Sequence, residues 1–248
     1  MLSRSLSAVR NPRELLRYIS CRGKDIFGRK KGVLVYIGVH KGYSFSKIFR
    51  GYRTCYGFEA NPEVFRELEQ KFRKYRHVHL QHAAVADFNG EIPFSISNNE
   101  GESSSIGSFD EDWENYRSGL IRMVRTIRVP SINLLSYCKD HGIDYIDDYI
   151  SDIQGMDLQV LKTMRPFIED GKIGTITCET TKDSRRNIYK DLPDNSENGF
   201  RELLNRNYEL VARGSGRLKD GVFSDVPGDW WEMDCKWRVK QNSRKNFF

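Results

Sequence analysis

Apolar runs that stop at a glycine or an acid, each followed by a stretch of helical spacing, set the rhythm of this chain. Val33 to Ile37 is a continuous apolar run that ends at Gly38 and gives way to Phe45, Ile48 and Phe49, the i, i+3, i+4 pattern of one helix face. A second run, Cys55 to Glu59, stops at Ala60-Asn61-Pro62. Proline is tolerated in the first turn of a helix, so a helix is predicted over Glu63 to Tyr75. Short strands are predicted at His77 to Gln81 and, after the turn Asn89-Gly90, at Ile92 to Ser97. A strand near Thr126 to Val129, a helix from Ile132 to His141 and a buried strand with acidic ends, Tyr145 to Asp152, come next. A helix from Met156 to Met164 then leads to a strand from Ile173 to Cys178 that stops at Glu179. Helix Gly199 to Asn205 and strands Tyr208 to Arg213 and Trp231 to Val239 close the chain. Two polar segments, 98 to 125 and 181 to 198, are too long for simple connectors and read as lid or substrate loops.

Strands alternating with helices predict a mostly parallel sheet with helices on both faces, and two final strands with no helix between them predict an antiparallel pair at one edge. Ligands of such doubly wound α/β sheets bind at the carboxyl ends of the strands. Gly38-Val39-His40-Lys41-Gly42 stands at the first of those ends, where backbone without a Cβ can approach a ligand. Glu59 stands at the second, 21 residues beyond Gly38, where a carboxylate accepts hydrogen bonds from the ribose hydroxyls of an adenosine cofactor. This pair suits either S-adenosylmethionine or NAD, and the absence of a third glycine in G-x-G-x-x-G spacing counts against NAD. Asp152 and Glu179, at two later strand ends, would face the same cleft, as a base pair or as part of a cation site; as a plain alternative, either is a helix cap or loop anchor. His77, His79 and His82 alternate along one strand, which is the pattern of an exposed edge more than of a zinc site. Trp230, Trp231 and Trp237 suit core packing, or a platform for a sugar ring.

Five blocks taken together, YIGVHKG, FEANPEVFRELEQ, HAAVADFNG, ESSSIGSF and IDDYISDIQGMDLQVL followed by ITCE, resemble in order and spacing the FkbM-type methyltransferases, over roughly residues 33 to 180. The resemblance implies an α/β, Rossmann-like class I methyltransferase fold with a seven-stranded sheet, S-adenosyl-L-methionine as cofactor, and O-methylation of a hydroxyl on a glycan or small-molecule acceptor. It further implies that Gly38, His40 and Gly42 line the methionine moiety, Glu59 and the neighbouring Ala60 the ribose end, and Ala84 the adenine. Asp152, matching the family's D-x-E/Q-G block, would orient the cofactor's amino group or take the acceptor proton, with Glu179 beside it; no metal is implied. The chain departs from the family's D-x-G-A-N-x-G and E-P-N-P: Tyr36 replaces the Asp, Val39 the Ala, His40 the Asn and Ala60 the Pro. Losing the Asp weakens the expected grip on the methionine end, which keeps a non-catalytic binding module as a rival.

Charge modifies this picture only at the ends. The net +6 of the 248 residues divides into +7 over residues 1 to 31, +5 over 236 to 248 and −6 between them. A basic N-terminal helical extension (1–31), a methyltransferase domain (32–240) and a basic tail (241–248) are expected. The tails are read as solvated ends that could touch an anionic membrane; a nucleic-acid methyltransferase is the lesser alternative. Five widely spread cysteines without a C-x-x-C pair suit reduced thiols and a cytoplasmic location. Arg185, Arg186 and Lys190 hint at an anionic acceptor.

Overall fold

The structure, a computed structural model, describes residues 30–111, 113, 119–216, 218–224 and 230–243. The basic extension expected before residue 30 and the tail from residue 244 therefore lie outside the described residues.

Seven strands form the central sheet in the order β11-β12-β9-β8-β1-β2-β3. These are β1 (Lys31–Ile37), β2 (Tyr52–Glu59), β3 (Val78–His82), β8 (Ile146–Ser151), β9 (Ile173–Thr181), β11 (Tyr208–Gly214) and β12 (Glu232–Val239). Neighbours from β3 to β9 run parallel, and β12 is inserted antiparallel to both β9 and β11. The apolar run of β1 shows why the sheet is covered twice. Val35 and Ile37 pack on α3 (Leu134–Asp140), α4 (Asp157–Thr163) and α6 (Glu197–Leu204). Leu34 and Tyr36, alternating with them, pack on Phe45 of α1 (Tyr43–Ser46) and on Leu68 and Phe72 of α2 (Pro62–Phe72). The α2 helix starts as the sequence implies, with Pro62 in its first turn and the Asn61 side chain accepting from the Glu63 and Val64 N–H groups.

A second, three-stranded sheet, β4-β7-β5, joins β4 (Ala84–Ala86), β5 (Gly90–Ser97) and β7 (Met123–Asn133), and a short pair joins β6 (Ser108–Phe109) to β10 (Tyr189–Lys190). Three expectations are corrected here. The segment 98 to 125 is not loop throughout, because β7 already begins at Met123; Arg122, Arg125 and Arg128 fall every third residue and mask the period of two. The helix ending near Met164 is followed by a separate α5 (Arg165–Glu169), started by Pro166. The strand β9 does not stop at Cys178 but carries Glu179, Thr180 and Thr181 inside it, because these pair with Asp234, Met233 and Glu232 of β12. That last difference sets acids on two strands face to face.

Candidate active site

The end of β1 is a left-handed turn. Gly38 (φ 76°), His40 (φ 51°) and Gly42 (φ 71°) all lie in the region that favours glycine. The Gly38 and Val39 N–H groups both donate to the Phe58 carbonyl at 3.0 Å, which ties the turn to β2. Glu59, 7% exposed at the end of β2, completes the tie. Its Oε2 accepts from the His40 N–H at 2.7 Å and its Oε1 from the Asn61 N–H at 2.8 Å. Burial raises the Glu59 carboxyl above its ordinary range, and these two N–H groups oppose the rise. A carboxylate has about four lone-pair sites, so Glu59 retains acceptor capacity toward the crevice. His40 does not cap the next helix, whose cap position is Gly42. Its ring instead reaches the Glu100 carbonyl at 3.1 Å, and Lys41 pairs with the Glu100 carboxylate, so the 98–104 loop is fastened over the turn.

Beneath that loop lies a cavity of about 580 Å³. One end is formed by the Gly38–His40 turn, Glu59, Ala60 and an apolar slot of Ala83, Ala84, Val85, Phe94 and Ile106. The other end holds Asp152, Gln154, Glu179, Glu232 and Asp234 with Trp113, Trp230 and Trp231. Every site residue expected from sequence lines it except Gly42, which backs the turn: a Cβ there would meet Leu68 and Phe72 at 2.8 Å. Tyr36 lines the cavity where the resemblance places a carboxylate; its phenol is hydrogen-bonded to Ser44 and kept neutral by burial and by the nearby Asp152 charge.

Sequence reading missed the centre of the far end. The Gln154 Nε2 donates to Asp152 Oδ1 at 2.7 Å and to Glu179 Oε2 at 2.8 Å, and its Oε1 accepts from the Tyr189 hydroxyl at 2.5 Å. Its backbone is held at φ 57°, and its carbonyl accepts from Ser105 Oγ at 2.8 Å. One amide thus bridges the two carboxyls. Burial pushes the Glu179 carboxyl well above the usual range, reinforced by the Asp152 charge; Asp152, whose side chain still opens to the cavity, is raised as well, by the loss of solvent within that recess. Around them Glu232 is pushed up to about 8, and Asp234 and the fully buried Asp157 to about 7, in each case by burial first and by the Asp152 charge among the neighbouring acids. The signal for Glu232 and Asp234 was present as the alternation Glu-Met-Asp-Cys, with both acids on one strand face.

Arg185, Arg186 and Lys190 do not line this cavity. They border a separate one of about 450 Å³, where Arg186 pairs with Asp110 at 3.0 Å, while the Arg185 guanidinium lies 5.3 Å from the Trp231 ring centre. The histidines in and just before β3 serve packing: His77 stacks on Phe49, His79 on Tyr56, and His82 leans on Phe65. Trp237 is core, stacked on Phe200, whereas Trp230 is 45% exposed at the cavity wall.

Two predictions arise from this geometry. Replacing Glu59 by Gln keeps the shape but sets an amide N–H₂ against one of the two backbone donors. Affinity for S-adenosylhomocysteine is expected to fall by about tenfold or more, the order lost with one charge-assisted hydrogen bond, with the circular dichroism spectrum unchanged. Glu59→Ala also strands two N–H groups and should cost about 1–3 kcal/mol of stability as well; undiminished affinity in both variants removes Glu59 from the site. The second prediction concerns pH. Carboxyls raised from ordinary values of 3.8 or 4.5 to about 7 and 8 resist ionisation in the folded state. Their contribution is complete at acid pH and is lost as pH rises through the folded values. The ligand-free protein should therefore melt several degrees lower at pH 8 than at pH 6, a difference that thermal scans of Glu232→Gln should show diminished.

The sheet order, with one antiparallel strand inserted beside an otherwise parallel set, and a crevice at the carboxyl ends of β1 and β2 define a class I methyltransferase fold. The family model for the methyltransferase FkbM domain matches residues 37–209, more than half of the chain. The chain belongs to that family and is an S-adenosylmethionine-dependent methyltransferase. Among solved structures, the methyltransferase FkbM of Methylobacillus flagellatus is similar at 11% identity and a TM-score of 0.49. The likeness covers 85% of this chain and 44% of that one. The N-methyltransferase NodS of Bradyrhizobium japonicum is similar at 10% identity and a TM-score of 0.45, over 94% of this chain and 99% of that one. A second NodS structure, in complex with S-adenosylhomocysteine, is similar at 11% identity and a TM-score of 0.45, over 95% and 92%. No curated protein matches the chain. Among the described residues no helix is long and apolar enough to cross a membrane.

Proposed function

We propose that this protein methylates a hydroxyl oxygen of a small-molecule or saccharide acceptor, with the cofactor in the Gly38–Glu59 end of the cavity and the acceptor at the Asp152–Glu179 end. The observation that carries the reading is the Gln154 bridge: a carboxyl just after β8 and another within β9 are held by one amide inside the cavity whose other end is the apolar slot beside Glu59.

The residues present fit the cofactor. Gly38 lets the turn close against the Asp152 carbonyl where a Cβ would not fit, Glu59 supplies a buried acceptor for the ribose hydroxyls, and Ala60, Ala84 and Phe94 form apolar walls for an adenine. His40 and Asp152 would hold the methionine end, where Tyr36 gives a hydroxyl in place of a carboxylate. When bound, S-adenosylmethionine supplies a methyl on a positively charged sulfur: an acceptor oxygen lone pair forms the O–C bond, the C–S bond breaks, and its electron pair stays on sulfur. The chain's own task is to align the oxygen, exclude water and accept the proton released from it. Glu179, the more strongly raised of the bridged carboxyls, holds a proton, and Asp152 is the base. The four described cysteines are free and buried, which supports a reducing, cytoplasmic location.

Calorimetric titration with S-adenosylhomocysteine tests the cofactor end, and binding that weakens by about tenfold or more in Glu59→Gln is expected. Incubation with ¹³C-methyl cofactor and a pool of polyols and saccharides tests the acceptor end; an ether-type methyl carbon is expected, and label found only on nitrogen overturns the hydroxyl assignment.

A further inference from the structure

The charge of the cavity is one-sided. Among the described residues that line it there are six carboxyls and no Lys or Arg. The cofactor reading engages Glu59 and Asp152, and Gln154 partly occupies Glu179. Three are left over: Glu102 on the 98–104 loop, and Glu232 and Asp234 together on one face of β12, with Asp234, which accepts from the Gly216 N–H at 2.8 Å, directly opposite Glu179 in the strand register. Two carboxylates directly opposed across a sheet repel, so the pair is stable only with a proton on one member or with something positive beside it. A second observation is independent of the acid count. Glu232 Oε1 is sealed from solvent with no hydrogen-bond partner, and so is the Oγ1 of Thr181, its register partner. Buried polar atoms are nearly always paired, so the orphaned oxygen of Glu232, which lines this cavity while Thr181 borders the other one, marks a place where a donor is expected. The exposed indole of Trp230 on the same cavity wall offers the aromatic face that favours organic cations. No three His, Cys, Asp or Glu side chains among the described residues are grouped to hold a metal ion.

We infer that the methyl acceptor is a cation, carrying an ammonium group that docks on Glu232 and Asp234 beside the reacting hydroxyl, as in an amino alcohol or amino sugar. The inference rests on the proposed acceptor site and narrows its chemistry. It also reverses the anionic preference suggested by Arg185, Arg186 and Lys190, which face another cavity. The ammonium supplies hydrogen bonds to the orphaned Oε1, and its charge favours the ionised carboxylates.

The test uses the full chain saturated with S-adenosylhomocysteine and two charge series of matched shape: ethanolamine, ethylene glycol and glycolate; glucosamine, glucose and glucuronate. Saturation-transfer NMR at constant ionic strength reads binding. Ethanolamine and glucosamine should bind about tenfold or more tightly than their neutral partners, a ratio that one close charge pair readily supplies, and glycolate and glucuronate least. In the double variant Glu232→Gln, Asp234→Asn the preference should vanish while cofactor-product affinity stays within about twofold; the single variants serve if the double one melts early. Equal binding across a series, preference for the neutral or anionic member, no signal from either amine, or a preference that survives in the variants overturns the inference. Failure of S-adenosylhomocysteine itself to bind removes the acceptor site with it, so the two readings fail distinguishably.

Discussion

Replacing Gly38 by alanine is expected to cost at least about 3 kcal/mol of folding stability, in the range reserved for strained backbone and core clashes, and to abolish cofactor binding with it. The residue sits at φ 76°, where an L side chain is strained by about 1–2 kcal/mol. A Cβ there would stand 1.9 Å from the Asp152 carbonyl oxygen and 2.9 Å from its carbon. The obstructing group is backbone, so no rotamer change relieves it. Asp152 N–H is itself bonded to the Ile37 carbonyl at 3.1 Å, and the β1 and β8 ends must separate to admit a methyl group. That separation moves the Asp152–Gln154 segment and the glycine turn together, so stability and binding fall as one. Gly42→Ala is the informative comparison. Its φ of 71° carries the same local strain, but its Cβ meets only the tips of Leu68 and Phe72, which can shift. Urea unfolding should rank Gly38→Ala well below Gly42→Ala. A Gly38→Ala protein within about 1 kcal/mol of the parent, the size of an ordinary surface change, means the β1 and β8 ends do not meet as described.

The same contact shows why part of this site could be read in advance. Val33 to Ile37 announces a strand buried on both faces because every position is apolar, and Gly38 then marks where the chain must turn. Glu59 is legible because an acid closing an apolar run just before Asn-Pro has a defined place, the strand end facing a helix start. Ala84 to Ala86 form a strand that alanine's weak β-propensity conceals, and only pairing with β7 makes it one. The extension of β9 through Thr181 depends on β12, whose partner residues lie about fifty positions later in the chain. Gln154 stands in the D-x-E/Q-G block, but its bridging role was hidden for a related reason: it depends on Tyr189, 35 residues away, and on a left-handed backbone that sequence does not advertise for glutamine. Glu232 and Asp234 alternate with apolar residues, a pattern that reads as a solvated strand face until the 98–104 loop and β9 close a cavity over it. Local rules thus recover the cofactor end, built from two consecutive strand-turn units, and lose the acceptor end, assembled from distant ones.

Asp152→Asn should lower kcat by about a hundredfold or more, the usual share of a positioned general base, while leaving affinity for S-adenosylhomocysteine within about fivefold, as expected when one uncharged amide replaces a partly neutralised carboxylate. The substitution is nearly isosteric, and the Asn carbonyl can still accept from Gln154 Nε2, so the bridge to Glu179 keeps its shape. What is lost is the ability to take a proton. Loss of solvent within the recess raises the Asp152 carboxyl, which makes it a stronger base than a solvated aspartate and also means that it protonates sooner on acidification. The parent enzyme should therefore lose kcat/KM as pH falls through a value above the ordinary aspartate range, and Asp152→Asn should lack that limb. A Glu179→Gln protein separates the roles further: because Glu179 already carries a proton, its amide should preserve much of the rate and leave the acid limb close to its parent position, since the amide N–H₂ can donate to Asp152 as the protonated carboxyl does. If turnover survives in Asp152→Asn and fails in Glu179→Gln, the two carboxyls exchange roles; if product affinity falls as far as turnover in Asp152→Asn, that residue holds the cofactor's amino group and the base lies elsewhere in the cavity.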